Sequence, residues 1–253
     1  MNTLFVGQHI IELAEVNSTN TYAINLLKEV NTPEGTIVFT QNQTAGRGQM
    51  GNTWQAETGK NLTFSLILHP TFLSAEKQFY LSKITSLAVF ETLTEFLLPS
   101  LYDIKIKWSN DTLVSRKKIS GILIENILRG NTLQSSVIGV GININQKSFS
   151  GIENQATSLS LLLEKEFDVK EILTLFCKHF EVFYLLLKQQ NFIKITRLYK
   201  EKLYLFNEFA TYKSQEKTFS AKIIDVEESG LLVLSTIENE TLKFNFKEVQ
   251  FIQ

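Results

Sequence analysis

The chain has 253 residues, 43 % of them apolar, with 25 Lys plus Arg against 26 Asp plus Glu and a formal net charge of -1. That is material for one large domain with a small appendage, and the neutral balance argues against a protein whose main task is gripping nucleic acid or an anionic membrane. The single cysteine, Cys177, excludes an internal disulfide and any metal site built on two or four cysteines, and three scattered histidines suggest no metal cluster and no histidine relay.

Residues 1–16 lack the basic segment, apolar stretch and small-residue cleavage site of a secretory signal. The most apolar stretches, 81–98 and 172–187, are broken by Lys83, Glu91, Glu95, Lys178 and Glu181, so neither reads as a membrane span. A cytoplasmic location follows by elimination.

Asn17 and Ser18 are good helix caps, and Tyr22, Leu26, Leu27 and Val30 recur at helical spacing, which predicts a first helix over 19–30. A short strand over 36–40 runs into the polar, glycine-studded loop 41–54. Residues 62–68 alternate as a strand stopped by Pro70, and 74–98 predict a long amphipathic helix ended by Pro99. Ile104, Ile106 and Trp108 share one face of the next strand while Lys105 and Lys107 share the other. Strands over 118–128 and 132–143 follow, joined by the turn Arg129-Gly130-Asn131. Residues 157–203 are mostly helical, and from Glu208 onward short alternating segments predict a small all-β module, barrel-like in form. The order predicts an α+β protein: a mixed sheet packed by helices, then a separate β module, with a boundary between 204 and 205.

Six of the 12 glycines fall in three short motifs: Gly46, Gly48 and Gly51; Gly121; Gly139 and Gly141. Such clustering points to positions where the backbone turns sharply or something approaches it closely. Inward-facing amides of a glycine-rich turn bind anions, and the adjacent Arg47 grips phosphate or carboxylate oxygens in bidentate fashion. Lys107-Trp108-Ser109-Asn110-Asp111 sets a lysine, polar side chains and an acid at a strand end, a set suited to a triphosphate with its Mg2+. Residues 118–125 place Lys118 at the head of an apolar strand interrupted by Gly121. Each motif alone is also compatible with a plain turn, a solvated edge lysine or a bulge glycine. Five cations against two acids between Leu101 and Lys118 nonetheless form a basic patch in a neutral chain.

Taken in order, Ser18-Thr19-Asn20, Gln43-Thr44-Ala45-Gly46-Arg47-Gly48, Trp54, Lys107-Trp108-Ser109-Asn110-Asp111, Lys118-Ile119-Ser120-Gly121-Ile122-Leu123-Ile124-Glu125 and Gly139-Val140-Gly141-Ile142-Asn143 resemble the motifs of biotin-protein ligases. The motifs stand in the family's order and spacing, and the resemblance extends to the terminal β module. It implies a class II synthetase-like catalytic domain (1–204) and a small SH3-like barrel (205–253). It also implies a two-step reaction: biotin and MgATP give biotinyl-5'-AMP and pyrophosphate, then the biotinyl group passes to one lysine of a biotin carboxyl carrier protein.

Carried over by motif, the resemblance implies that Ser18, Thr19, Asn20 and Gln43 hydrogen-bond the biotin head group. The loop 46–51, with Gly48 and Gln49, closes over the adenylate while Arg47 binds phosphate oxygens. Lys118 lies between the biotin carboxylate and the α-phosphate with Lys107 nearby. Asn110 and Asp111 serve the nucleotide and its metal, Asp111 being the metal ligand and a candidate to orient or deprotonate the acceptor lysine. Trp54 and Asn143 line the adenine side, and Gly121 lets biotin approach the strand. ATP and biotin are thus substrates, with Mg2+ as the accompanying ion; no permanently bound cofactor is expected, and no covalent enzyme intermediate is needed.

Where many members carry proline this chain has Ser109, and where loops are more basic it has Gln49 and Met50, so adenylate retention is expected to rest more on Arg47. The 17 residues before Ser18 leave no room for the DNA-binding domain of some relatives, which predicts no DNA partner; a homodimer stays open. Two rivals remain at this point: a lipoate or octanoate ligase or transferase with a long apolar pocket, and a non-catalytic sensor of biotin or its adenylate.

Overall fold

The computed structural model describes residues 2–149, 151–152 and 155–252, without the side chain of Met50. In chain order the elements are β1 (Ile10–Leu13), α1 (Thr19–Glu29), β2 (Ile37–Thr40), β3 (Leu62–Leu68), α2 (Phe79–Thr94), β4 (Ile104–Lys107), β5 (Asp111–Val114), β6 (Lys117–Arg129), β7 (Thr132–Ile142), α3 (Leu159–Leu163), α4 (Val169–Lys188), α5 (Phe192–Glu201), β8 (Phe209–Ser214), β9 (Lys217–Val226), β10 (Leu232–Thr236), β11 (Thr241–Phe244) and β12 (Gln250–Ile252).

The first seven strands form one sheet in the order β1-β2-β3-β7-β6-β5-β4. The β1–β2 pair is parallel and the others antiparallel, so the sheet is mixed. One face packs on α2 and α4, where Phe64 meets Phe176 with ring centroids 5.0 Å apart. On the other face, among the described residues, lies one helix, α1, whose Ala23 is buried against Val38, Ile67 and Val137. One short helix cannot cover a seven-stranded sheet, so part of that face is left for a ligand.

Two strands were not predicted. The first, β1, is only four residues long, and β5 lies where the sequence suggests no more than a strand end and turn; its hairpin to β6 turns at Ser115 and Arg116, both at positive φ. The predicted helix over 74–98 is instead a 3-10 turn, Ala75–Lys77, followed by the shorter α2. Nor is α2 amphipathic, because neighbours surround it: α4, α5 and the sheet. Even Lys83 is buried in it, donating to the Val226 carbonyl at 3.2 Å, and burial pushes its amine down to about 8.

The C-terminal module is a five-stranded antiparallel sheet in the order β11-β10-β9-β8-β12. Its outer strands, β11 and β12, do not pair with each other among the described residues, so the expected closed barrel is not what these pairings describe. The sheet shares one apolar cluster with the large domain. Trp108 Nε1 donates to the Gly230 carbonyl at 2.9 Å, and its ring meets Phe246 at 5.4 Å. Gly230 sits at φ +97, with Phe79 so close that a Cβ there would come within 2.7 Å of its ring. The module therefore braces the Lys107–Asp111 segment from behind.

Candidate active site

Cross-strand partners share a face of a sheet, so register alone shows what the open face carries. One row runs Lys107, Asp111, Gly121, Gly141, Thr63 and Thr40 across six strands. The next row of the same face carries Leu123, Gly139 and Ser65, and the third carries Glu125, Val137 and Ile67. Helix α1 covers the second and third rows. The first row is roofed by the loop 43–54.

Lys118 reaches this face by a device that motif spacing does not show. Strict alternation would put positions 118 and 121 on opposite faces. The β5–β6 register shifts between Thr112 and Leu113, a bulge that leaves Ile119 as the extra residue. The Lys118 side chain then lies 3.3 Å from the position a Cβ of Gly121 would take, and its Nζ is 2.7 Å from Asp111 Oδ1. The angle of that approach is not that of a hydrogen bond, and Asp111 Oδ1 is otherwise buried with no donor.

Three of the glycines admit side chains close to the sheet. A Cβ at Gly139 would stand 2.3 Å from Asn20 Oδ1, and one at Gly141 would stand 2.4 Å from Trp54 Cε2. The Trp54 indole therefore lies against both Gly121 and Gly141. It is Trp54 and Lys118 that use the clearance at Gly121. In the loop, Gly46 and Gly48 let the two arms of a narrow hairpin meet: Trp54 N–H donates to the Gly46 carbonyl at 3.0 Å and Gly48 N–H to the Asn52 carbonyl at 2.7 Å. Ser109 Oγ donates to Gln49 Oε1 at 2.9 Å, tying the loop to the end of β4.

Two cavities result. The first, about 110 Å³, is lined by Ser18, Thr19, Asn20, Gln43, Arg47, Gly48, Gln49, Trp54, Asn110, Asp111, Lys118 and Gly121, together with Thr63 and Leu123 from the sheet. The second, about 650 Å³, is lined by Trp54, Lys107, Asp111, Lys118 and Asn143, with Arg116, Phe149 and Phe251. Thr53, Trp54, Asp111 and Lys118 belong to both, so they form the junction. Thr63, Leu123 and Phe251 escaped sequence reasoning, whereas Arg116 entered it only as one of the cations of the basic patch between Leu101 and Lys118. Register would have exposed Thr63 and Leu123; Phe251 arrives from the C-terminal sheet, which no local pattern shows.

The polar groups of the first cavity are preset. Ser18 occupies the N-cap of α1 without a side-chain cap bond; instead Gln43 Oε1 accepts from Thr19 N at 2.8 Å and from Thr19 Oγ1 at 3.2 Å. Beneath them the fully buried Ser65 hydroxyl lies 2.7 Å from Thr19 Oγ1 and 2.5 Å from Asn20 Oδ1. Asn20 Nδ2 donates to the Leu123 carbonyl and to Glu125 Oε2. Arg47, expected to grip phosphate, has its guanidinium 2.7 Å from Glu125 Oε1 and 3.2 Å from Thr21 Oγ1. Asn110, expected at the nucleotide, lines the first cavity instead, its amide donating to the Ile122 carbonyl.

In the second cavity Asn143 Nδ2 donates to the Thr157 carbonyl, fixing the rim. Lys107 Nζ lies 5.2 Å from the centre of the Phe251 ring. Burial lowers the Lys107 amine from its ordinary range, Lys118 lowers it further, and Asp111 opposes both. Among the described residues no group of three or more His, Cys, Asp or Glu gathers to hold a metal. The single carboxylate of Asp111 fits an ion held mainly by phosphate oxygens and water, as magnesium is when it arrives with a nucleotide.

Fold and site thus define a class: a mixed-sheet protein with two adjoining cavities that share one lysine. Residues 13–143 match the model of the biotin/lipoate A/B protein ligase family, and the chain belongs to that family. It is 31 % identical over 246 residues to the bifunctional ligase/repressor BirA of Bacillus subtilis, covering 96 % of this chain and 74 % of that one. It is 33 % identical over 134 residues to the biotin--[acetyl-CoA-carboxylase] ligase of Paracoccus denitrificans, about half of each chain. Among solved structures, the biotin protein ligase of Aquifex aeolicus in complex with biotin and ATP superposes with a TM-score of 0.79 at 27 % identity, covering 97 % of this chain and 99 % of that one.

Proposed function

We propose that this chain is a biotin-protein ligase, with biotin in the first cavity and ATP in the second. The observation that carries the reading is the junction: Lys118 lines both cavities, so that a carboxylate at the end of one and an α-phosphate at the end of the other would meet there. Attack of one anion on another is slow because charge repels charge, and a cation fixed at the meeting point lowers that barrier. The biotin carboxylate oxygen bonds to the α-phosphorus as the bond to the bridging β-oxygen breaks, releasing pyrophosphate. Lys118, held by Asp111, stabilises the charge on the α-phosphoryl oxygens, and Lys107 and Arg116 accommodate the polyphosphate. Asp111 would hold the magnesium that arrives with the nucleotide, and that ion would offset phosphate charge.

In the second step the amine of a carrier lysine attacks the acyl carbon and AMP leaves. Asp111 orients that amine and takes its proton. The loop 43–54 keeps water from the mixed anhydride between the steps. The acceptor is a biotin carboxyl carrier protein, and the net charge of -1 supports a protein that takes no DNA partner. No described helix is long and apolar enough to cross a membrane; with the unpaired, buried Cys177 this supports work in the reducing cytoplasm. The division into a catalytic domain, 1–204, and a terminal domain, 205–253, belongs to the same reading.

The small first cavity, closed by Trp54 and the loop hairpin, favours a compact bicyclic head over the long acyl chain of a lipoate or octanoate enzyme. ATP–pyrophosphate exchange driven by biotin but not by lipoate or octanoate, with transfer of labelled biotin to a carrier fragment, tests the proposal. Exchange with lipoate alone, or tight biotin binding without any transfer, contradicts it.

A further inference from the structure

Glu125 has no part in the chemistry above, yet its carboxylate joins two functional pieces that the chain keeps far apart. Oε2 accepts from Asn20 Nδ2 at 2.9 Å, and Oε1 pairs with Arg47 Nη2 at 2.7 Å. Asn20 belongs to the first turn of α1, where it lines the head-group end of the first cavity. Arg47 belongs to the roofing loop. Glu125 itself sits on β6 in the third row of the open face, opposite Val137 on a long two-stranded ribbon, and its side chain is only 27 % exposed. A carboxylate has two oxygens that accept independently, so one group holds both partners without choosing between them.

The network continues on the far side of Asn20. The Ser65 hydroxyl fixes Asn20 Oδ1, and the amide therefore presents Nδ2 to Glu125 in one orientation. Removing Arg47 would free Glu125 to turn toward water and loosen Asn20; removing Asn20 would free it in the other direction and loosen Arg47. Ion pairs this exposed contribute little to stability alone, so the value of the arrangement lies in what it connects.

We propose that Glu125 is a positioning residue that couples the head-group end of the pocket to the Arg47 loop, so that ligand binding at Asn20 and closure of the roof reinforce each other. The inference rests on the functional reading above for the identity of the ligand, and on this chain's own hydrogen bonds for the coupling. The coupling between two contacting groups is measured by a double-mutant cycle. The test measures biotin affinity by calorimetry for the unmodified protein, Asn20→Ala, Arg47→Ala and the double variant, and repeats the four measurements with Glu125→Gln, which keeps size and shape but sets an NH2 donor against one of the two partners. Thermal unfolding of each variant verifies that it folds.

The expected result is that with Glu125 present the two losses in affinity depart from multiplying by about threefold or more, and that with Glu125→Gln they multiply independently. Independent multiplication with Glu125 present, or an unchanged departure with Glu125→Gln, overturns the coupling. Biotin that fails to bind the unmodified protein at all overturns the functional reading instead, a result distinct from either.

Discussion

The two cavities meet at the same four residues but are built on opposite principles. In the first, the polar side chains are already bonded to one another: Gln43 to Thr19, Ser65 to Thr19 and Asn20, Asn20 to Glu125. In the second, Lys118 is paired with Asp111, but among the described residues neither Lys107 nor Arg116 makes an ion pair. The first is a mould of fixed donors and acceptors suited to an uncharged head group; the second is a region of unspent positive charge suited to a polyphosphate. Substitutions in the first should act through shape and hydrogen bonding, those in the second through charge, and those at the junction on chemistry itself.

The largest effect is expected at the junction. Lys118→Ala should lower biotin-dependent pyrophosphate exchange by about 10³-fold, the scale seen when one fixed stabiliser of transition-state charge is removed, while Tm moves little. Steric disruption comes next. Gly141→Ala forces a Cβ into the Trp54 ring, which must move; calorimetry should show a loss of about 1–3 kcal/mol in stability together with weaker binding of both ligands. An unchanged Tm and unchanged affinities would mean that the indole does not need its place on the glycine pair.

Ser65→Ala sharpens the comparison from the first side. It leaves Asn20 Oδ1 and Thr19 Oγ1 without their buried partner, and biotin affinity should fall by about tenfold with ATP affinity kept. Lys107→Arg sharpens it from the second side and is the mildest. Because burial lowers the Lys107 amine, its charge is lost as pH rises through a value below the ordinary lysine range. ATP affinity should therefore weaken on the alkaline side earlier than an exposed lysine would allow. Arginine keeps its charge, so in Lys107→Arg the alkaline fall should shift to higher pH by a few-fold in affinity at the fixed alkaline point. A pH profile identical in both proteins would remove Lys107 from nucleotide recognition.

Much of this was legible in the sequence because motif residues lie on elements with strong local signals. The periodic strands 62–68, 118–128 and 132–143 placed Gly121, Gly139 and Gly141 on neighbouring strands, and clustering of scarce glycines marked where side chains approach the sheet. What stayed hidden depends on pairing between distant segments. The bulge at Ile119 decides that Lys118 faces Gly121, and a bulge is a property of two strands rather than of either one. β5 was too short and too polar to announce itself, so the row from Lys107 to Gly141 could not be read. The Arg47–Glu125 pair spans 78 positions of chain and has no periodic signature. The departure at Met50 concerns a side chain outside the described residues. Helix α2 differs in character from its sequence pattern because the charged residues that imply a wet face include the buried Lys83, whose partner lies in the C-terminal sheet.

The central claim is that one lysine serves both cavities, and a crystal structure with biotinyl-5'-AMP bound tests it most directly. The account predicts Lys118 Nζ within about 3.5 Å of an oxygen on each side of the acyl-phosphate bond, with the ring system of biotin beside Asn20 and the adenine beyond Trp54. An adenylate lying wholly within one cavity, with Lys118 turned away from it, would contradict the claim.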